Sequence, residues 1–365
     1  MDSYRPDKFS FTLILSSPAR LVAELGAANL ALTHAWPTFG FGGYDLDPAS
    51  RYSRNFFALT FRERERTPEE EQKRQPPHYR FVGDYFGVFL AIYFGKRFDN
   101  HGFLLDHGHY CLPHVEPPQP RKALDALPFT SNVRKDLGIP LRLDAAEPIV
   151  PIFDSIFAHV NETGSLSDGL NLVFTAGRFY QQALQQYDSD PELAFLSLVN
   201  AGEVLVSGLT FTTAELQDKE LTAQLAEIDE KLDPELAADI RAKFFGQISR
   251  RFRRGLAKLL NAAFYAGSES TNDLYRLQPE TIEKHLRAAY DLRSKFLHAG
   301  TRFGGWVKSP VQGAETSIGT PAFGTADWKK LITAIPTLGG LERVIRFALM
   351  RFIHQRISPI CPLLD

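Results

Sequence analysis

The chain has 365 residues, 44% of them hydrophobic, and a formal net charge of -2. That length supports two ordinary domains with a core each, and the near-neutral balance excludes a global field that draws in nucleic acid, so any such binding must come from local clusters. The two cysteines, Cys111 and Cys361, form no CxxC pair, which excludes a disulfide framework or a cysteine zinc cluster and fits a reducing, cytoplasmic setting. The opening "MDSYRPDKFSFTLIL" lacks a basic region followed by an apolar one, and no stretch approaches roughly 18 apolar residues, so the chain reads as unsecreted and not membrane-spanning.

The first part of the chain is mixed. In "FSFTLIL", Phe9, Phe11, Leu13 and Leu15 share one side of an expected strand, and Phe57, Leu59 and Phe61 do the same in "NFFALTF". Helix-like runs follow at "SPARLVAELGAANLAL" and "GDYFGVFLAIYFGKRF", and a further strand is expected around "GFLLDHGHYCL". The charged run "RERERTPEEEQKRQPP" reads as a solvated loop. From His114 to Pro151 proline discourages long helices, so an α+β N-terminal domain is expected over residues 1–150 and a helical domain over 151–365.

Helical signals dominate from there. "DPELAFLSLVNAGEVLVSG" places Asp190 as N-cap, Pro191 at the first helical position and Gly208 beyond the end. In "TTAELQDKELTAQLAEIDEKL", Thr212 and Glu215 are spaced as a capping box, with Leu221, Leu225, Ile228 and Leu232 on one face. Further helices are expected from about Pro234 to Phe264, from about Pro279 to His298, and over Leu341, Ile345, Ala348 and Phe352 to near Arg356.

Four features carry chemistry. In "IRAKFFGQISRRFRRGLAKLL" seven lysines and arginines fall between Arg241 and Lys258, and a helical wheel gathers Lys243, Arg250, Arg254 and Lys258 opposite an apolar face. That basic side is either a solvated surface or a phosphate-binding one. In "HGFLLDHGHYCLPH" a continuous strand would put His107, His109 and Cys111 on one face, the start of a metal site if further ligands arrive from elsewhere. "GKR" at Gly95 lacks the residues of a phosphate-binding loop.

The third feature is "YDLRSKFLHAG". Arg293 and His298 are five positions apart, about 140° on an ideal helix, whereas Ser294 and His298 share a face. Spacing alone fits a helix end where the histidine meets the dipole and the arginine pairs with a carboxylate, as well as a reactive pair. Glu203, among Leu196, Val199 and Val206, needs a partner if buried, and Arg293 is the candidate. The fourth feature is the glycine-rich stretch after His298, where Arg302, Trp306 and Lys308 offer cationic and stacking groups suited to a single-stranded nucleic acid.

A helical domain with "YDLRSKFLHAG" on a late helix and "LVNAGEVLV" on an earlier one resembles the HEPN superfamily, most closely its Apea-like branch, over roughly residues 160 to 360. Arg293, Ser294 and His298 match its Arg-x4-His element and Glu203 its earlier glutamate, whereas Ala299 separates His298 from Gly300 where the branch often has His-Gly. The resemblance implies an all-α HEPN-type bundle and a metal-independent endoribonuclease in toxin, abortive-infection or anti-phage defence settings, with no cofactor. It also implies RNA as partner and a homodimer whose two motifs meet in one composite site. Catalysis would rest on Arg293, His298, Ser294 and Glu203, and RNA binding on Lys243, Arg250, Arg254, Lys258, Arg302, Trp306 and Lys308. Two other readings remain: a HEPN-fold RNA- or nucleotide-binding or sensor module without catalysis, and a metal-dependent function at His107, His109 and Cys111.

Overall fold

The structure, a computed structural model, describes residues 10–17, 21–27, 30–35, 55–62, 80–106, 109–110, 141–154, 156, 166–216, 233, 248–268, 270–311 and 313–365. Packing divides the chain into two compact units, Met1–Ser189 with Ile353–Pro362 and Asp190–Phe352 with Leu363–Asp365. The division falls later than the junction expected at 150. Among the described residues no helix is long and apolar enough to cross a membrane.

The first unit holds a six-stranded antiparallel sheet. Its strands are β1 (Ser10–Ser17), β3 (Leu25–Ala27), β4 (Leu30–His34), β5 (Asn55–Arg62), β6 (Asp99–Asp106) and β7 (His109–Tyr110), in the order β3-β4-β5-β1-β6-β7. A short parallel pair joins β2 (Leu21–Val22) to β8 (Leu141–Arg142). Strand β1 lies between β5 and β6 and is buried on both faces, so its polar side chains need partners. Thr12 meets Thr60 at 3.0 Å, and the Ser16 hydroxyl lies 2.7 Å from Nε2 of His101.

The run "SPARLVAELGAANLAL", expected as a helix, contains β2, β3 and the start of β4 instead. Its alanines and leucines favour helix locally, but Leu30 and Leu32 alternate into the core and pair with Phe61 and Leu59. Cross-strand packing outweighs local propensity here. Helix α1 (Arg80–Phe94) is apolar nearly all round, as a helix covered on several sides must be. It packs on β1 and β6, and helix α2 (Asp168–Gln186) packs on it in turn. Gly177 of α2 faces Val88 and Ile92 of α1, and the Gln181 amide donates to the Phe98 carbonyl. These contacts assign α2 to the sheet unit.

The second unit is helical. Its helices are α3 (Pro191–Ser207), α4 (Thr213–Leu216), α5 (Ile248–Lys258), α6 (Ala262–Ala266), α7 (Ile282–Ala299), α8 (Ala326–Ala334) and α9 (Leu338–Arg356), the last running into residues of the first unit. Asp190 caps α3 by accepting from the Leu193 amide at 3.0 Å, and Thr212 with Glu215 forms a reciprocal capping box at 2.8 and 3.3 Å. Leu221, Leu225, Ile228 and Leu232 lie outside the described residues. The helix expected to run to Phe264 stops at Lys258, because Asn261 accepts from the Phe264 amide and starts a new helix.

Helix α3 is the centre of this unit. A Cβ on its Gly202 would lie 2.6 Å from the Phe252 ring of α5 and 2.9 Å from Ile345 of α9, so the three helices meet where only hydrogen fits. Helix α7 packs against α3, α5 and α8. A buried knot forms around Glu315. Glu315 accepts from Ser268 at 2.8 Å, from the Leu277 amide at 2.8 Å and from Arg343 at 2.6 Å. Arg343 also donates to the Phe264 carbonyl and lies over the Phe264 ring at 3.9 Å.

Candidate functional site

Helix α7 carries the motif. Leu286, Ala289 and Leu292 are buried and orient it against its neighbours. It ends at Gly300, whose φ of 62° is left-handed, with the Gly300 amide donating to Phe296 at 3.1 Å and the Thr301 amide to Lys295 at 3.3 Å. This is a Schellman-type end, which glycine enters without a side-chain clash. The helix therefore stays regular past His298, and Ala299 serves as its last turn rather than loosening it.

Regular geometry keeps Arg293 and His298 on different sides, and a partner helix turns Arg293 aside. Its Nη2 donates to Glu203 Oε2 at 3.1 Å, with the Asn200 side-chain oxygen at 3.5 Å. Both charged side chains are about one-fifth exposed, 21% for Arg293 and 18% for Glu203. The guanidinium also lies 5.7 Å from the Tyr290 ring centroid. Burial raises the Tyr290 hydroxyl above its ordinary pKa; Glu203's charge and its hydrogen bond with that hydroxyl add to the shift, while Arg293 opposes it. Nε of Arg293 is buried without a hydrogen-bond partner. Ser294 is half-buried and His298 is exposed.

The stretch after Gly300 folds back through one buried carboxylate. Glu192, 2% exposed in the first turn of α3, accepts from the amides of Phe303 at 2.6 Å and Gly304 at 2.7 Å and from Nε of Arg302. Phe303 sits edge-on between Phe195 and Phe296. This clamp leaves the Arg302 side chain 76% and Trp306 40% exposed, with Lys308 exposed beyond them. Glu192 was not legible as a clamp, because an acidic residue in a first turn already satisfies the helix dipole.

The basic helix is less open than its wheel suggested. Arg254 donates to the Glu215 carbonyl, and Lys258 Nζ lies 2.7 Å from Glu215 Oε1 and 5.9 Å from the Phe211 ring. The bond from Lys258, with those from Thr212, holds the Glu215 carboxyl down to about 2. Arg254 and Lys258 thus fasten the 209–216 segment to α5. Arg250 is half-buried, and Lys243 lies outside the described residues.

The alternative metal site loses its premise. Strand β6 ends at Asp106, which pairs with His109 of β7, so one continuous strand does not carry the histidines. His107 and Cys111 lie outside the described residues, and among those described no group of three or more His, Cys, Asp or Glu is placed to hold a metal ion.

The fold class is thus an α+β unit followed by a helical one, with a charged pair joining two helices and an exposed histidine further along one of them. No family model, curated protein or solved structure matches the chain.

Proposed function

We propose that the second unit is a HEPN-type helical bundle and that the protein is a metal-independent endoribonuclease. The observation that carries this reading is the Glu203–Arg293 pair joining α3 and α7, with His298 exposed in the last turn of the same helix. These residues match the ordered set on which the resemblance rests.

Cleaving RNA without a metal requires removing the 2'-hydroxyl proton, stabilising a five-coordinate phosphate and protonating the departing 5'-oxygen. His298 takes the proton as the 2'-oxygen attacks phosphorus, the role an imidazole serves as general base. Arg293 stabilises the developing phosphate charge with the N–H groups Glu203 leaves available. Ser294, on the face of His298, orients that ring or the phosphate. Each chain has one motif histidine, so a second copy supplies the acid for the leaving oxygen in a homodimer. Arg302, Trp306 and Lys308 hold the single strand beside the motif by charge and stacking.

The second reading, a non-catalytic RNA- or nucleotide-binding or sensor module, draws support from the same pair, because one donor edge of Arg293 is already engaged within the chain. One experiment separates them. Purified protein is incubated with mixed RNAs with and without EDTA, beside His298→Ala. Cleavage that resists EDTA and vanishes in the variant supports the nuclease; RNA binding without cleavage in either protein supports the module.

A further inference from the structure

Among the described residues, the solvent side of the seam between α5 and α7 brings Arg253, Arg254, Arg287 and Lys295 together with the carboxylates of Glu283 and Asp291. Glu283, Arg287, Asp291 and Lys295 occupy successive turns of one α7 row. At ~1.5 Å per residue this row extends about 18 Å, and its last member lies beside Ser294 and His298 on the surface. Across the seam, Arg253 and Arg254 of α5 both reach Glu283, at 3.8 and 3.7 Å, and Arg287 approaches Asp291 at 3.8 Å. These three pairs sit at the long end of ion-pair distances and are loosely made. Arg287 is 66% exposed, and Lys295 is exposed as well.

We propose that this seam is a track for the phosphodiester backbone of single-stranded RNA, with Arg287 and Lys295 as its exposed cations and Arg253 as its half-buried base. The proposal rests on the ribonuclease reading above, and it moves the phosphate contacts away from Arg254 and Lys258, which Glu215 holds. Cation crowding supports it: burial lowers the pKa of Arg253, Glu283 opposes that, and Arg250, Arg254 and Arg287 add like-charge repulsion. A phosphate there accepts paired N–H bonds from planar guanidinium forks. The row's direction delivers the strand to His298.

The test uses the full chain carrying His298→Ala, so that RNA remains intact, and a labelled oligouridylate of roughly 12 nucleotides read by fluorescence anisotropy. Arg287→Glu and Lys295→Glu are compared with Lys330→Glu, the same charge reversal on exposed α8. Each seam variant is expected to weaken binding about tenfold near 0.1 M salt and to flatten the log affinity against log salt slope by about 0.7 or more, while Lys330→Glu changes little. Unchanged melting confirms that all three fold. Seam variants that match Lys330→Glu overturn the track while leaving RNA binding in place. Absence of binding by the parent protein overturns the RNA reading and the track together. Poly-glutamate that displaces the RNA as well as inorganic polyphosphate does marks a general anion surface and also overturns it.

Discussion

Two glutamate–arginine pairs in the helical unit have the same chemistry and opposite surroundings. At Glu315–Arg343 the side chains are 3% and 12% exposed, and Glu315 is surrounded by a hydroxyl, an amide and the guanidinium. At Glu203–Arg293 they are 18% and 21% exposed, the bond is longer, and Arg293 retains an unmatched N–H. The first pair, saturated in that both carboxylate oxygens accept, holds architecture together by joining α9 to Ser268 and the Leu277 amide. The second pair fixes an arginine's direction while both side chains stay partly exposed.

The largest expected effect breaks the saturated pair. Glu315→Ala strands Arg343, Ser268 and the Leu277 amide, and is expected to cost about 3–5 kcal/mol of unfolding free energy, read by urea denaturation. Next come Arg293→Ala and Glu203→Gln. Each is expected to lower RNA cleavage by about 10²-fold while costing only about 1–2 kcal/mol of stability, so activity and folding separate at this pair and not at the other. A variant of Arg293 that unfolds as severely as Glu315→Ala while the remaining folded fraction keeps full activity contradicts the distinction.

Smaller effects sharpen it through pH. His285 Nδ1 donates to the Ala334 carbonyl at 2.8 Å, and burial lowers its pKa despite that bond. Its neutral form is the folded one, so its contribution is complete above the ordinary value of 6.5 and is lost as pH falls through the lower folded value. Melting temperature should decline on acidification from about 6.5 down to that lower value, and His285→Gln should flatten the decline. The smallest effect is at Lys258, whose pair with Glu215 is exposed. Lys258→Met should leave the urea midpoint at neutral pH nearly unchanged. Glu215, held at about 2, keeps its contribution above its ordinary 4.5 and loses it only in strong acid.

Local signals were the legible ones. Asp190, Pro191 and Gly300 punctuate the chain within a few residues of the bonds they make, so α3 and α7 could be bounded closely. Glu203 was legible as a carboxylate in an apolar helix that needed a cation. Tyr290, one turn before Arg293, offered the same kind of signal and was missed. The strands within "SPARLVAELGAANLAL" were not legible, because their pairing with β5 overrides a helix-favouring composition. Glu315 was equally hidden. Its partners lie 28 to 47 positions away, and nothing local distinguishes it from a surface carboxylate.

Glu192 meets the Phe303 amide across 111 positions of sequence. A contact across such a separation exists only where the start of α3 has reached the end of α7. The display of Arg302 and Trp306 is therefore a product of completed folding. A newly made or partly opened helical unit lacks that surface, so engagement of a ligand there follows the folded population rather than the amount of chain present.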